Sequence, residues 1–429
     1  MKGINIIKLN VGLLAGLTII AVAAIGQQSA PYEPGPALAL STNGSTIMAD
    51  GSFVPSVPGG SPAPQQSPGS ATNFQALTDN NTLHPPDTMG AVGLSNVVTM
   101  LNTQVRIQTR TGTTVQTMAL SNFWTSTNIG SYTEVFDPRI VYDPYNSRWI
   151  ACAGVEPFSS NSGILVGVSL TSSPTNGWNL RRVKADPTSQ RWADFPMLGY
   201  NKDWIVVGAN MFIGNTRDSS YFYVFNKTNL YAGNFTSPTL LADTNTALAF
   251  SEFPAVTLDT SLTNLYVLER VNGNFQGNGY HRILSINGAI GSERLNNAGT
   301  SPTFLQVNAT WDDNEPNNGA DFAPQLGLSV KVQNNDSRIG NVVYRNGALW
   351  FAHTAFLPAG APTHSVVQWY QVDPAHGITQ FGRIEDTATT NFYAFPSIAV
   401  NRFMRRANRL LPLCWHPICQ RQLRVPGLQ

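Results

Sequence analysis

The sequence predicts an all-β protein whose body is a β-propeller of six or seven blades. Three observations carry that expectation. One strand–turn–strand phrase recurs along the chain, turn-forming residues are abundant while charged residues are only 12%, and no long apolar stretch with a 3.6-residue period follows residue 30. The phrase reads FDPRIVYDPYNSRWIACAGV from Phe136, DFPMLGYNKDWIVVGAN from Asp194, EFPAVTLDTSLTNLYVLERV from Glu252 and AFPSIAVNRF from Ala394. An earlier copy is PPDTMGAVGLSNVVTMLNT from Pro85, and a copy without the proline is DSRIGNVVYRNGALWFAHTA from Asp336.

The chain has 429 residues and a net charge of +1. That length allows a large core or several domains. The charge balance gives no electrostatic reason to expect nucleic acid or an anionic membrane surface as partner. Residues 1–26 read as an export signal: Lys2 and Lys8 precede a largely apolar run from Val11 to Ile25, with small residues after it. The run is shorter than the roughly 20 residues of a full span, so no membrane span is expected after cleavage. Residues 27–75 contain SFVPSVPGGSPAPQQSPGSA, which holds too few large apolar groups to offset the entropy of ordering, and read as a disordered spacer. A secreted or cell-surface monomer is the resulting expectation. Cys152 is the lone cysteine of the body, so disulfides do not hold it together.

The body spans residues 76–403. Pro138, Pro196 and Pro254 fall 58 residues apart, and Pro396 lies 142 beyond Pro254, room for two further units. Each copy starts a strand with a proline or small residue, where no ladder N–H is needed. Alternating positions, a turn at Asp, Asn or Gly, and a second, strongly apolar strand follow. Further strand-like runs such as HRILSING from His281 complete about four strands per unit. A lone sheet with apolar residues on both faces cannot bury them, and repetition around an axis can.

Residues 404–429 are of different composition. From Arg402 the chain carries six arginines, Cys414, Cys419 and no acid. CWHPIC fits no strong zinc pattern. With suitable codons, a one-base shift from Arg405 onward can read GALIGYSRFAGTQYASANYAFR, which restores turn, strand and aromatics. The expectation is an out-of-frame tail and an incomplete last blade, which also admits a non-functional product of a damaged gene. An intact frame in independent reads of the gene would remove this expectation.

PPDTMGAVG, FDPRIVYDPYNSRW, APQLG from Ala323, DSRIGNVVYRNGALWFAHTA, SVVQWYQVDP and FPSIAVN together resemble a largely uncharacterised group of exported bacterial β-propellers. That group is broadly similar to the sialidase-like, BNR-repeat class. The resemblance covers residues 85–402 and implies a propeller, without implying catalytic residues.

Catalytic signatures are sparse. HExxH, GxxxxGK[ST] and GxSxG do not occur. His84, His353 and His364 read as structural. Sialidase chemistry would cast Arg139, Arg282 and Arg338 with Tyr142 and Glu252, but the S-x-D-x-G-x-T-W turn of that class is missing. The acids at the strand openings are more informative. Asp87, Asp137, Asp194, Glu252 and Asp336 lie within two positions of an opening, so a propeller would gather them at one end of its axis, with Arg139 and Arg338 interleaved. Such a rim would bind a cation or a polar ligand, and crowding would raise carboxylate pKa values. The competing structural reading is that each acid accepts from nearby backbone N–H groups. In WDDNEPNNGADF, Asp312, Asp313 and Asp321, with Glu315, offer oxygen ligands for Ca²⁺, although a solvated loop explains them as well. Trp149, Trp192, Trp204 and Trp350 read as blade core, and Trp178 as an exposed ring suited to sugar stacking. The function expected is a binding or adhesion module for an extracellular glycan or protein. The alternative is a carbohydrate-active hydrolase or lyase.

Overall fold

The computed structural model describes residues 72–125, 132–296, 303–316, 321–325, 327–386, 388 and 391–400. The expected export signal, nearly all of the spacer and the tail lie outside them. The described chain is built almost wholly of antiparallel strands.

The first sheet is a meander of β1 (Met89–Val92), β2 (Asn96–Met100), β3 (Gln104–Thr109) and β4 (Thr114–Ala119), followed by the short helix α1 (Leu120–Thr125). The second is β5 (Val135–Asp143), β6 (Arg148–Val155), β7 (Gly163–Ser169) and β8 (Trp178–Lys184). The third is β9 (Trp192–Tyr200), β10 (Trp204–Ile213), β11 (Thr216–Asn226) and, after helix α2 (Lys227–Tyr231), β12 (Thr239–Asp243).

In the fourth unit the opening strand is split at Ala255 into β13 (Phe253–Pro254) and β14 (Val256–Thr257). It continues through β15 (Leu265–Phe275) and β16 (Asn278–Asn287). Two short strands, β17 (Arg294–Asn296) and β18 (Thr303–Val307), share the outer edge of β16. That doubled edge and the segment after it lengthen this unit and account for the long interval before the next copy. The fifth unit is β19 (Ile339–Arg345), β20 (Ala348–Leu357), β21 (His364–Asp373) and β22 (Gly377–Ile384).

Burial follows strand position. β6 and β10 are buried on both faces almost throughout, whereas the outermost β4 is mostly exposed. Period-two alternation sends neighbouring residues to opposite layers. Ile205 and Val207 pack with Ile150, Cys152 and Val166 of the second sheet, while Trp204 and Val206 pack with Leu265, Val267 and Leu284 of the fourth. Similar apolar layers join the first sheet to the second and the fourth to the fifth. The opening strands succeed one another in space: β1 beside β5, β5 beside β9, β9 beside β13, and β13 beside β19. Tyr200, Val256 and Val343 pair in parallel across three of them. Sheets stacked face to face with parallel innermost strands have the construction of a β-propeller.

Among the described residues the sixth copy is represented by its opening. Ile398 and Val400 bury against Val343, Ala348 and Trp350 of the fifth sheet, and Asn341 exchanges two side-chain hydrogen bonds with the Ile398 backbone, at 2.8 and 3.0 Å. Each of the six openings carries a non-glycine residue with positive φ: Asp87, Asp137, Phe195, Ser251, Asn335 and Phe395, between 46° and 61°. Four of these backbone N–H groups donate to a side chain of the preceding unit, Asn335 to Glu315 Oε1 at 2.5 Å among them. Asp137 donates to Asn102 Oδ1 at 2.7 Å, Ser251 to Asn210 Oδ1 at 2.7 Å and Phe395 to Thr354 Oγ1 at 3.0 Å.

Candidate functional site

The left-handed openings turn the chain sharply as it reaches the axis. Asp87, Asp137 and Phe195 are half-buried where the opening strands begin, the end of the axis termed the mouth, whereas Ser251 is buried. Asp87 and Asp137 hydrogen-bond to each other through their carboxyl groups. Asn102 clamps the pair: its Nδ2 donates to Asp87 Oδ2 at 2.6 Å and to Pro85 O at 3.0 Å, while its Oδ1 accepts from Asp137 N. Burial first, and then the Asp137 charge, push Asp87 well above the ordinary carboxylate range. A carboxyl group buried beside a second one loses less by staying protonated than by ionising.

Asp194 is half-buried, and burial followed by the Asp137 charge pushes it up to about 7. Across the mouth, Asp336 Oδ2 accepts from Arg338 Nη2 at 2.6 Å, and Asp336 Oδ1 accepts from Arg338 Nε at 2.8 Å. Burial works against the Asp336 charge, but the guanidinium outweighs it and holds the carboxyl below its usual range.

Arg139 is buried on the axis. Its Nε donates to Pro196 O at 3.1 Å, and its Nη1 donates to Gly340 O at 3.3 Å and to Met89 Sδ at 3.5 Å. Phe195 lies between the two arginines, with the Arg139 and Arg338 guanidinium carbons 4.8 and 4.7 Å from its ring centre. Each contact is a cation–π interaction.

Six of the seven rim residues expected from the sequence thus lie close enough to perturb one another: Asp87, Asp137, Arg139, Asp194, Asp336 and Arg338. Glu252 does not join them. It turns into the fourth sheet and pairs with the buried Arg282, which also holds Asp243 at 2.9 Å and Glu269 at 2.6 Å. At Asp137–Pro138 and Phe195–Pro196 the left-handed residue directly precedes the proline, whereas in the fourth unit it is Ser251, three positions before Pro254. The buried Arg282 guanidinium supplies the charge that draws the Glu252 carboxyl group into the sheet. With Arg282 and Glu252 paired inside the sheet, the sialidase-like set is not assembled at the axis.

The proposed calcium ligands do not converge either. Asp313 faces Arg270 at 3.0 Å, Asp312 Oδ1 accepts from Gly360 N at 2.8 Å, and Asp321 is exposed. A guanidinium already supplies the positive charge at Asp313. Among the described residues no group of three His, Cys, Asp or Glu side chains could hold a metal ion. Trp178, expected as an exposed ring, packs edge-on against Phe123 at 5.0 Å and donates its Nε1–H to Pro174 O.

Sequence reading missed Asn102 and Phe195. Asn102 sits at the end of a second strand, and only the spatial neighbour reveals its role. Phe195 reads as one more apolar residue of the repeat, and its left-handed backbone gives the ring its place.

No family model matches the chain, and no curated protein matches it. Solved structures to which it is weakly similar include an exo-1,5-α-L-arabinanase from a bovine ruminal metagenomic library, at 14% identity over 67% of this chain and 94% of that one, with a TM-score of 0.33. Another is an exo-β-1,3-galactanase from Clostridium thermocellum, at 10% identity over 70% of this chain and 62% of that one, with a TM-score of 0.36. A third is a neuraminidase-like protein of subtype N11 from a flat-faced bat influenza virus, at 12% identity over 65% and 69%, with a TM-score of 0.34. Similarity of this size carries no activity to this chain.

Proposed function

We propose that this protein is an exported, six- or seven-bladed propeller module that binds a glycan at the axial mouth. One observation supports the reading: Asp87, Asp137, Asp194 and Arg338, from four different units, are half-buried and close enough to perturb one another. Clustered carboxyl groups accept from sugar hydroxyls and the Arg338 guanidinium donates to them, while Phe195, held between Arg139 and Arg338, fixes the guanidinium in place. Asn102 and the left-handed backbone fix these groups before any ligand arrives, which lowers the ordering cost of binding. A glycan array of the full chain checks this. The expected result is a defined set of retained glycans, lost at least tenfold in Asp137→Asn/Asp194→Asn. Retention unaffected by that double change would rule the axial mouth out, and retention of protein ligands alone would replace the glycan by a protein partner.

A second reading, a carbohydrate-active hydrolase, is favoured by Asp194. A carboxyl pushed up to about 7 near a second carboxylate has the unequal proton affinity that general acid–base cleavage of a glycosidic bond requires. Release of 4-nitrophenol from aryl glycosides, abolished in Asp194→Asn, would favour it over binding alone.

A further inference from the structure

A second concavity lies away from the axis, between the second and third units. It encloses about 320 Å³ and is formed by three loops: β6–β7, β8–β9 and β10–β11. All three leave or enter strands at the end where the opening strands begin, so the concavity opens on the same end of the molecule as the axial mouth.

Two aromatic rings line it, Phe158 and Trp192, with Phe212 stacked behind Trp192. Trp192 lies 5.0 Å from Phe212 and 4.2 Å from Phe158, centre to centre. Trp192 is buried, with its indole N–H donated to Gly214 O at 2.6 Å. Phe158 ends the stack and is 46% exposed. Its φ is +54°, a conformation a bulky side chain rarely adopts. Glu156 and Ser189 are also left-handed, at +54° and +60°. Non-glycine residues in this region persist where surrounding structure over-determines them, which is common at ligand clamps.

Here the surroundings do so. The Glu156 carboxylate accepts from Thr133 N and Oγ1, at 2.8 and 2.6 Å, pinning one loop. The Asp186 carboxylate accepts from the N–H groups of Thr188, Gln190 and Arg191 at 3.0 to 3.1 Å, pinning the other. An exposed phenyl ring is thus held in place by two ordered loops that gain nothing apolar from its exposure.

The polar wall selects the ligand class. Arg191 is the ionic side chain lining the concavity, and it is already paired with Asp218 and Asp186. With that charge already met by two carboxylates, the concavity holds no net positive field to draw an anion, and a cation would meet the guanidinium. The remaining polar lining is hydroxyl and amide: Ser159, Gln190 and Asn215 among others. A wholly apolar ligand would leave those groups dry. A pyranose ring has a C–H face for the phenyl ring and hydroxyls around its edge for the amides. The geometry points to a peripheral subsite for one neutral sugar residue, stacked on Phe158 and hydrogen-bonded at its edge by Gln190 and Asn215. It is separate from the axial mouth and does not rest on the reading given to that mouth.

Saturation-transfer NMR on the full chain tests it, with methyl β-D-galactopyranoside and methyl β-D-glucopyranoside as neutral probes and the methyl glycoside of sialic acid as the anionic one. The expected result is transfer to the ring C–H protons of at least one neutral probe. The apparent Kd should weaken tenfold or more in Phe158→Ala and be kept in Phe158→Trp. Asn215→Ala, on an exposed loop, should weaken it severalfold and keeps the test open should Phe158→Ala misfold. Transfer to neither neutral probe, equal transfer to the anionic probe, or transfer unchanged in Phe158→Ala and Asn215→Ala would each overturn the subsite. Transfer lost in Asp194→Asn but kept in Phe158→Ala would place the sugar at the axis, overturning the subsite while leaving the axial reading standing.

Discussion

Asp194 and Glu315 share a property that reaches beyond the rim. Burial pushes each up to about 7, from ordinary values of 3.8 and 4.5. An acid whose folded pKa exceeds its unfolded one contributes stability that is fully present below the unfolded pKa and lost as pH rises through the folded pKa. Both groups therefore make the fold less stable as pH climbs from about 4 to about 7. Asp194→Asn removes one such contribution. The variant is expected to melt higher than the parent at pH 8 and to show a shallower fall between pH 4 and 7, with Glu315 and the other raised acids, Asp87 among them, supplying the remaining slope. Melting curves at pH 4, 6 and 8 measure this, and superimposable slopes for parent and variant would refute it. The two acids also show what sequence can and cannot reveal. Asp194 was legible because it stands directly before a repeat opening. Glu315 was grouped with a solvated or calcium-binding loop, because its true partner, the backbone N–H of Asn335, lies 20 residues away.

At the scale of strands, the repeat phrase was readable because strand openings, turns and alternation are local properties. The pairing of one unit with the next was not. Asn102, Asn210 and Thr354 each hold the opening of the following unit, from 35 to 41 residues away. Nothing in their own surroundings in sequence marks them. The parallel contact between β9 and β14 depends on Gly199 in a similarly hidden way. A Cβ there would lie 2.5 Å from Pro254 O and 2.8 Å from Ala255 O. Those are backbone atoms, which cannot rotate aside. Gly199→Ala is expected to force the two opening strands apart and to cost about 1–3 kcal/mol, the range for overpacking. Urea unfolding gives the value, and an unchanged midpoint would show that the strands separate freely.

Over the whole molecule, five complete units and the opening of a sixth are described. The long interval between Pro254 and Pro396, which left room for another unit, is partly taken up by the doubled outer edge of the fourth sheet. Composition could not anticipate this, because both outer strands look like ordinary short β runs. The sixth opening is integral to the fold. Ile398 completes the apolar face that Val343 and Trp350 would otherwise present to water. Ile398→Ala is expected to lower stability by about 2 kcal/mol, the low end for emptying such a site at the border of a layer. Calorimetry measures the loss, and an unaltered melting temperature would make the segment an incidental appendage.

Arg139 acts as a knot at the hub. Its guanidinium ties together backbone and sulfur atoms from three opening strands, β1, β9 and β19. One side chain therefore fastens the first, third and fifth units to one another, although they lie far apart along the chain.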